Sequence, residues 1–413
     1  MNQKSVLGNS AHHNVNLDFV RGLAALLVVM CHTYECQFYS SGQVPYQTLS
    51  QKIFYYFCCM GGDAVMIFFV LSGFLVGGSV VKAVEKSKWS WSDYLVRRLS
   101  RLWIVLIPAL LLTTFWDSLG IRLGGKYAYD GNYWNIIWVG PWEKDYFDVK
   151  TFFKNLFFLQ NVSDPSQMFG TNSPLWSLSN EFWYYLLFPL FYVAIVGKTH
   201  VIKRIFYLVL FVGVLKFIPR SMAHLGIVWL MGVLAYIVVN EPKLNKIASD
   251  FRIFILSFML FLAVTIIGHL ELATGWLARV LQPSKIIQQG LVGIAFTGTI
   301  PYLLKRSINV EFYKVVGTWL SKISYTLYLT HLPLMLFFFY LFILPEKSLL
   351  TLHSFLLFLF YIAIFLMYGW CVWYFFERRT NEFRGKIMKY VHSFINYFSR
   401  VVKRTSMKIN EKY

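Results

Sequence analysis

Charged residues are scarce in this chain. Asp, Glu, Lys and Arg make up 14% of its 413 residues, whereas soluble proteins average about 25%. Hydrophobic residues account for 57% and aromatic residues for 19%. This composition excludes an ordinary soluble domain and predicts an integral membrane protein.

Acidic residues are rarer still, with 20 Asp and Glu against 39 Lys and Arg, which gives a net charge of +19. In a soluble protein this surplus would suggest nucleic acid as a partner. Here the basic residues fall between apolar runs and in the tail, where cytoplasmic loops and anionic lipid favour them. We therefore expect a lipid bilayer, and no nucleic acid, as the partner.

Cysteine is also uncommon, and the five residues present show no metal-ligand spacing. Three of them lie in or beside apolar runs, so we expect neither a metal site nor a disulfide framework. A bridge from Cys36 to Cys58 or Cys59 stays an open alternative. No small-residue cleavage signature follows the first apolar segment, so we expect that segment to remain as a helix.

Long apolar runs recur along the chain. Runs of about 20 residues predict an all-α, polytopic bundle of about ten transmembrane helices, near 17–35, 62–81, 99–118, 175–197, 203–218, 222–240, 252–270, 285–304, 322–344 and 351–376. Lys and Arg cluster in alternate connections and in the tail, which predicts that both termini are cytoplasmic. We expect a transmembrane domain over 1–376 and a basic cytoplasmic tail over 377–413.

The first run contains two ionisable residues, Arg21 and His32. Eleven helical steps make about three turns plus 20°, so both side chains project from one face, about 16 Å apart along the axis. An ionisable group at bilayer depth costs about 2.5–3.5 kcal/mol on insertion scales. We therefore expect both to point into protein or a wet cavity, with chemistry inside the membrane.

Two acids are candidate partners for this histidine. At 1.5 Å per residue, His32 lies roughly 22 Å above the inner edge, and Glu181 lies roughly 9 Å below the outer edge, at a similar depth. A carboxylate at that level would orient the imidazole as a general base. Glu35, three residues beyond His32, is the alternative partner, and each acid has a plainer interpretation as a helix-packing or interfacial group. Asp18 is either a salt-bridge partner of Arg21 or an interfacial acid.

Arginines cluster where the third run begins. Arg97 and Arg101 share one helical face and Arg98 is adjacent. Guanidinium groups bind phosphates bidentately, so the cluster suits a phosphorylated ligand, although positive-inside topology alone would also explain it.

Four further features bear on function. Gly73 and Gly77 have the small-xxx-small spacing that permits close helix approach. Ser72, near mid-membrane, is either a nucleophile beside His32 or bonded to its own helix. His331 either lines a substrate path or packs. The aromatic residues of the connection 119–174 either stack on sugars or anchor at the interface: Tyr133, Trp134, Trp138 and Trp142.

Six segments in order resemble the acyltransferase family 3 membrane proteins, which O-acylate cell-surface glycans. They are the Arg-x10-His stretch of Arg21 and His32, FFVLSGFL (Phe68 to Leu75), RRLSRLWIVLIP (Arg97 to Pro108), LWSLSNEFWYYLLFPL (Leu175 to Leu190), ISYTLYLTHLP (Ile323 to Pro333) and FERR at Glu377. The fourth departs from the usual WSLSxEEQFY, because one acid, Glu181, remains where many members have two.

The resemblance implies a ten-helix core and an integral membrane O-acyltransferase. Its donor would be cytoplasmic acyl-CoA, usually acetyl-CoA, with no metal. Its acceptor would be a hydroxyl of a surface polysaccharide or lipid-linked glycan outside a bacterial inner membrane. By motif, His32 is the catalytic histidine, Arg21 its companion, and Arg97 and Arg101 the donor-binding pair.

The combined prediction places Arg21, His32, Glu35 and Glu181 at the catalytic centre. The predicted donor contacts are Ser72, Arg97, Arg98, Arg101 and His331. Some members of the family append an extracytoplasmic esterase-like domain, and we expect the stand-alone form here. A histidyl or seryl acyl-enzyme stays open. A polytopic transporter and a noncatalytic assembly protein are the alternative functions, and the sequence makes no prediction of oligomeric state.

Overall fold

A computed structural model describes residues 14–393, except for a few short stretches and single positions. Those left out within that range are 45, 126–128, 131–145, 163–165, 270–284, 307, 309, 344–345 and 392. The structure is 85% helical, and no strand occurs in the described part of the chain. The predicted all-α class is confirmed. The four aromatic residues considered for sugar stacking lie outside the described residues.

Thirteen helices of seven residues or more follow one another between residues 15 and 375 of the described chain, and a further helix covers 380–391. The thirteen are α1 Val15–Gln37, α2 Leu49–Cys59, α3 Gly61–Glu85, α4 Trp91–Gly120, α5 Val149–Leu156, α6 Leu175–Val196, α7 Val201–Phe217, α8 Arg220–Asn240, α9 Pro242–Ala248, α10 Phe251–His269, α11 Lys285–Lys305, α12 Glu311–Phe342 and α13 Leu352–Phe375. A 3-10 turn, Glu377–Arg379, follows α13.

Each of the ten predicted spans coincides with a helix. Eight helices of the described chain are long and apolar enough to cross a membrane, and α6 and α7 occupy the other two predicted spans. The chain is therefore a polytopic helical membrane protein. The number of spans and the side of the termini stay predictions.

Glycines let α3 and α8 cross in backbone contact. The ideal Cβ of a side chain at Gly73 would lie 1.9 Å from the carbonyl oxygen of Trp229, and one at Gly232 would lie 1.9 Å from that of Val70. The crossing occurs where α3 widens into a π-helical turn, Gly73–Gly77. The close approach expected from the glycine spacing is confirmed.

Polar side chains anchor the start of α6 against its neighbours. Asp117 of α4 accepts hydrogen bonds from the backbone N–H of Thr171 (2.9 Å) and from its hydroxyl (2.8 Å). The next residue, Asn172, donates to the carbonyl of Leu329 on α12 at 2.9 Å. Since all three side chains are buried, these contacts fix the position from which α6 presents Glu181.

Candidate active site

A cavity of about 200 Å³ opens between α1, α3, α4, α6 and α12. Its charged lining consists of Arg21, Arg98, Arg101 and Glu181. Serine and tyrosine hydroxyls and apolar side chains complete the wall. The cavity therefore combines a surplus of positive charge with walls suited to an apolar chain.

The arginines come from two helices. Arg21 donates to Asp18 at 2.8 Å and also to the hydroxyl of Ser321, which confirms Asp18 as its salt-bridge partner. Arg98 donates through Nη2 to the hydroxyl of Ser79 at 3.1 Å. The Nε atoms of Arg21 and Arg98 are buried without a hydrogen-bond partner in the described structure. Such unused donors beside a cavity fit an anion that accepts several hydrogen bonds.

Helical spacing paired Arg97 with Arg101, and the structure pairs Arg98 with Arg101 in the cavity wall instead. Arg98 and Arg101 line the cavity with Arg21, whereas Arg97 lies outside the lining. Positions three and four residues before Arg101 flank its face on opposite sides, so spacing alone did not distinguish them. Packing against α3, where Ser79 holds Arg98, decides which arginine turns inward. The donor-binding role of Arg97 stays a prediction.

Glu181 stands at the end of a directed chain of hydrogen bonds. The indole N–H of Trp229 donates to Ser72 (3.1 Å), Ser72 contacts the hydroxyl of Tyr185 (3.1 Å), and Tyr185 donates to Glu181 (3.0 Å). Because the indole only donates and a carboxylate only accepts, the hydrogen bonds run from Trp229 toward Glu181. Ser72 thus lines the cavity as a hydrogen-bonding group whose partners are Trp229, Tyr185 and Glu181, not His32.

The imidazole of His32 meets a second imidazole. Its Nδ1 lies 2.8 Å from Nε2 of His331, and the ring centroids are 5.1 Å apart with planes 9° from parallel. The bond that sequence reasoning assigned to Glu181 or Glu35 is therefore made by His331. That assignment was wrong because helix depth does not tell which helices are neighbours. Glu35 instead lies 3.7 Å from the thiol of Cys31, which donates to it.

The histidines lie just beyond the cavity, since neither lines it. Tyr328, one helical turn before His331, does line it, and its ring centroid is 6.5 Å from that of His331 and 5.7 Å from that of Phe68. The Tyr328 hydroxyl lies 2.8 Å from that of Ser177. Tyr328 therefore marks the boundary between the arginine-lined cavity and the histidine pair.

Glu181 lies on the cavity side of this boundary. It follows Ser177 by one turn of α6, about 6 Å along the axis, and it interacts electrostatically with Arg101 and Arg98. The common level expected for Glu181 and His32 is therefore not observed. Counting from assumed membrane edges overlooked that α6 and α1 need not enter the bilayer at matched heights.

Sequence reasoning missed several residues of this site. Tyr185 and Tyr328 line the cavity, and Glu377 accepts a 2.5 Å hydrogen bond from Thr326 while facing Arg101 and Arg21 electrostatically. An acid directly after a long apolar run was a usable signal for Glu377. The tyrosines gave none, because aromatic residues are common throughout this chain.

The described residues hold no cluster of three or more His, Cys, Asp or Glu arranged for a metal ion. An imidazole beside a cavity with three arginines suits proton transfer to or from a ligand that carries phosphate groups.

Comparison with known proteins agrees with this chemistry. The family model described as an acyltransferase domain matches residues 14–376. The chain belongs to the acyltransferase family 3. The predicted family is thereby confirmed, and the histidine pair and arginine-lined cavity lie within the matched region. No solved structure matches the chain.

Curated relatives match shorter stretches. An acyltransferase, MdmB, of Streptomyces mycarofaciens is 30% identical over 179 residues, which cover 43% of this chain and 38% of the relative. An O-acetyl transferase of Shigella phage Sf6 is 31% identical over 104 residues, 25% of this chain and 27% of the relative. An uncharacterized protein of Haemophilus influenzae is 26% identical over 147 residues, 35% of this chain and 54% of the relative. The matched stretch thus spans from about a quarter to about half of each relative.

Proposed function

We propose that the protein is a membrane O-acyltransferase. It moves an acyl group, in the first instance acetyl, from cytoplasmic acyl-CoA to a hydroxyl of a surface polysaccharide or lipid-linked glycan outside a bacterial inner membrane. The observation that carries this proposal is the placement of His32 on the same helix as Arg21 and above the arginine-lined cavity.

The arginines suit the phosphate groups of the donor. Arg21, Arg98 and Arg101 supply cationic donors, and a guanidinium binds a phosphate through two parallel hydrogen bonds. The apolar and hydroxyl-bearing walls suit the slender pantetheine arm. The resemblance to the family assigns the same role to Arg97, which lies outside the cavity lining.

The dimensions agree with this placement. Arg21 and His32 are separated by about 16 Å along α1. The pantetheine arm has the bonds of about four residues of extended backbone, which span roughly 14 Å. Phosphates held near Arg21 therefore place the thioester close to the level of the histidine pair, beside Tyr328.

His32 acts as the general base in this proposal. It removes the proton of the acceptor hydroxyl, the oxygen attacks the acyl carbon, and the carbon–sulfur bond breaks. The imidazolium then returns the proton to the departing thiolate, so the products are the ester and free CoA. The carboxylate of Glu181, on the donor side of Tyr328, is placed to accept from an amide N–H of the arm.

The printed names of the relatives support the acyl class and, for the phage protein, the acetyl group. The test compares surface glycans from cells with and without the protein by mass spectrometry. Loss of one acetyl mass per modified residue is expected when the protein is absent. Unchanged acetylation, or loss of the glycan itself from the surface as a transporter would cause, overturns the proposal.

A further inference from the structure

We infer that His331 is a positioning residue that holds His32 in the tautomer with its Nε2 free to accept a proton. The inference rests on the proposed function for its catalytic consequence, but the tautomer itself follows from hydrogen bonds in the structure. The sequence had offered His331 as a donor contact that either lines a substrate path or packs.

A backbone carbonyl of α12 sets the protonation of His331. Nδ1 of His331 lies 2.8 Å from the carbonyl oxygen of Leu327, one turn earlier on α12. A carbonyl oxygen can only accept, so Nδ1 of His331 carries a proton. In the neutral imidazole the other nitrogen, Nε2, is then an acceptor.

The hydrogen bond between the two imidazoles then determines which nitrogen of His32, on α1, carries the proton. Nε2 of His331 faces Nδ1 of His32 at 2.8 Å, and two acceptor nitrogens cannot share a hydrogen bond. Nδ1 of His32 must therefore carry the proton and donate it, which leaves Nε2 of His32 unprotonated. The Leu327 carbonyl thus sets the state of a ring on another helix through one intermediate imidazole.

Burial favours this neutral arrangement over a protonated His331. His331 has no exposed surface, and in the described structure neither imidazole is paired with a carboxylate. Burying an imidazolium without a counter-charge is costly. The dyad therefore rests uncharged, in contrast to a histidine oriented by an acid.

The arrangement also fixes the ring in space. His32 is partly exposed, and because its Nδ1 is bonded to His331, its Nε2 is the nitrogen left for a substrate. When His32 takes a proton from the acceptor, its Nδ1–H bond to His331 strengthens, because a hydrogen bond from a charged donor is stronger than one from a neutral donor. His331 thus stabilises the transient charge without holding a charge itself.

Nitrogen-15 NMR of the purified full-length protein with labelled histidines tests the tautomer directly. Resonances are assigned by comparison with His32→Gln and His331→Gln. The wild-type protein is expected to show both rings with Nδ1 protonated and Nε2 unprotonated. A His32 ring with Nε2 protonated overturns the inference, whatever the enzymatic activity.

Kinetics test the catalytic consequence. With labelled acetyl-CoA, His331→Phe is expected to lower kcat by about 100-fold, at the low end of the general-base contribution, and to leave the KM for donor nearly unchanged. In His331→Gln the amide oxygen accepts from Nδ1, so this variant is expected to recover most of the kcat. The control is His353→Phe at an exposed position of α13.

The outcomes separate two failures. If the wild-type protein transfers acetyl but His331→Phe and His331→Gln both keep full kcat, the positioning role is contradicted and the proposed function stands. If the wild-type protein transfers no acetyl to any glycan acceptor, the proposed function fails, and the NMR experiment still decides the tautomer. A loss of kcat that is equal in the Phe and Gln variants also contradicts the inference.

Discussion

Arg21 and His32 on α1 each meet α12 at nearly the same sequence offset. Arg21 donates to Ser321, 300 residues later, and His32 contacts His331, 299 residues later. Two helices that keep one offset over three turns run parallel and in register. The pair therefore acts as a rigid frame that fixes the distance between the arginine-lined cavity and the histidine dyad.

A small residue at the Arg21 end of this frame supports the register. A Cβ at Gly22 would lie 2.5 Å from Cβ of Leu320, so α1 and α12 approach closely beside Arg21. Any substitution that separates the helices there is expected to move Arg21 relative to His32 and to reduce transfer without touching either side chain.

Donor affinity is expected to depend on Arg98 and hardly on Arg97. Losing a charge-assisted hydrogen bond costs about 1.5–3 kcal/mol, so Arg98→Ala is expected to weaken acetyl-CoA binding by about tenfold or more. Arg97→Ala is the matched control, because Arg97 is adjacent in sequence but lies outside the lining. Titration calorimetry of both variants measures the difference. Equal losses would favour the arginine pair implied by the family resemblance.

The role of Glu181 is separable from that of His32. Glu181→Gln keeps an acceptor for the Tyr185 hydroxyl and removes the negative charge near Arg98 and Arg101. We expect a change in the KM for acetyl-CoA. The pH at which the rate falls because His32 becomes protonated is expected to stay the same. A shift of that pH in Glu181→Gln would instead support the pairing of Glu181 with His32 that the sequence suggested.

Close packing of α3 on α8 makes Gly73 intolerant of a side chain. Gly73→Ala would place its Cβ 1.9 Å from the Trp229 carbonyl oxygen, and overpacking of this kind costs about 1–3 kcal/mol. The expected result is a lower Tm in a detergent-based thermal shift assay. Gly213→Ala on α7, where a Cβ meets nothing within 4 Å, is expected to leave the Tm unchanged or raised. Equal behaviour of the two variants would contradict the crossing.

Glu377 is expected to hold the arginine end of the site together. Its carboxylate accepts from Thr326 and faces Arg21 and Arg101, so Glu377→Ala leaves these cations less compensated. We expect a lower Tm that acetyl-CoA partly restores, because its phosphates supply the missing negative charge. Glu382→Ala, an exposed acid five residues on, is the control. A Tm for Glu377→Ala that equals the wild type would remove this role.

Apolar run length was a reliable guide to the helices of this protein. Each predicted span coincides with a helix because a segment that crosses lipid must satisfy its own backbone, which leaves few alternatives. Helical periodicity also placed Arg21 and His32 on one face, and α1 carries both toward α12. These properties depend on one segment at a time.

Contacts between helices could not be predicted from the properties of single helices. The sequence offered Glu181 and Glu35 as partners for His32, and the structure supplies His331, because periodicity orients a side chain only relative to its own helix. The choice between Arg97 and Arg98 likewise depends on Ser79, a residue of another helix. Packing between helices in lipid depends on close fit and on polar contacts between them. Neither can be derived from the sequence of one helix alone.

The proposed reaction depends on His32 as the base for acyl transfer. The direct measurement is transfer of labelled acetyl from acetyl-CoA to an acceptor glycan by purified protein, comparing the wild type with His32→Ala. Transfer is expected to fall by about 100-fold or more in the variant, while acetyl-CoA binding at the arginine-lined cavity is retained. Undiminished transfer by a folded His32→Ala protein would contradict the account.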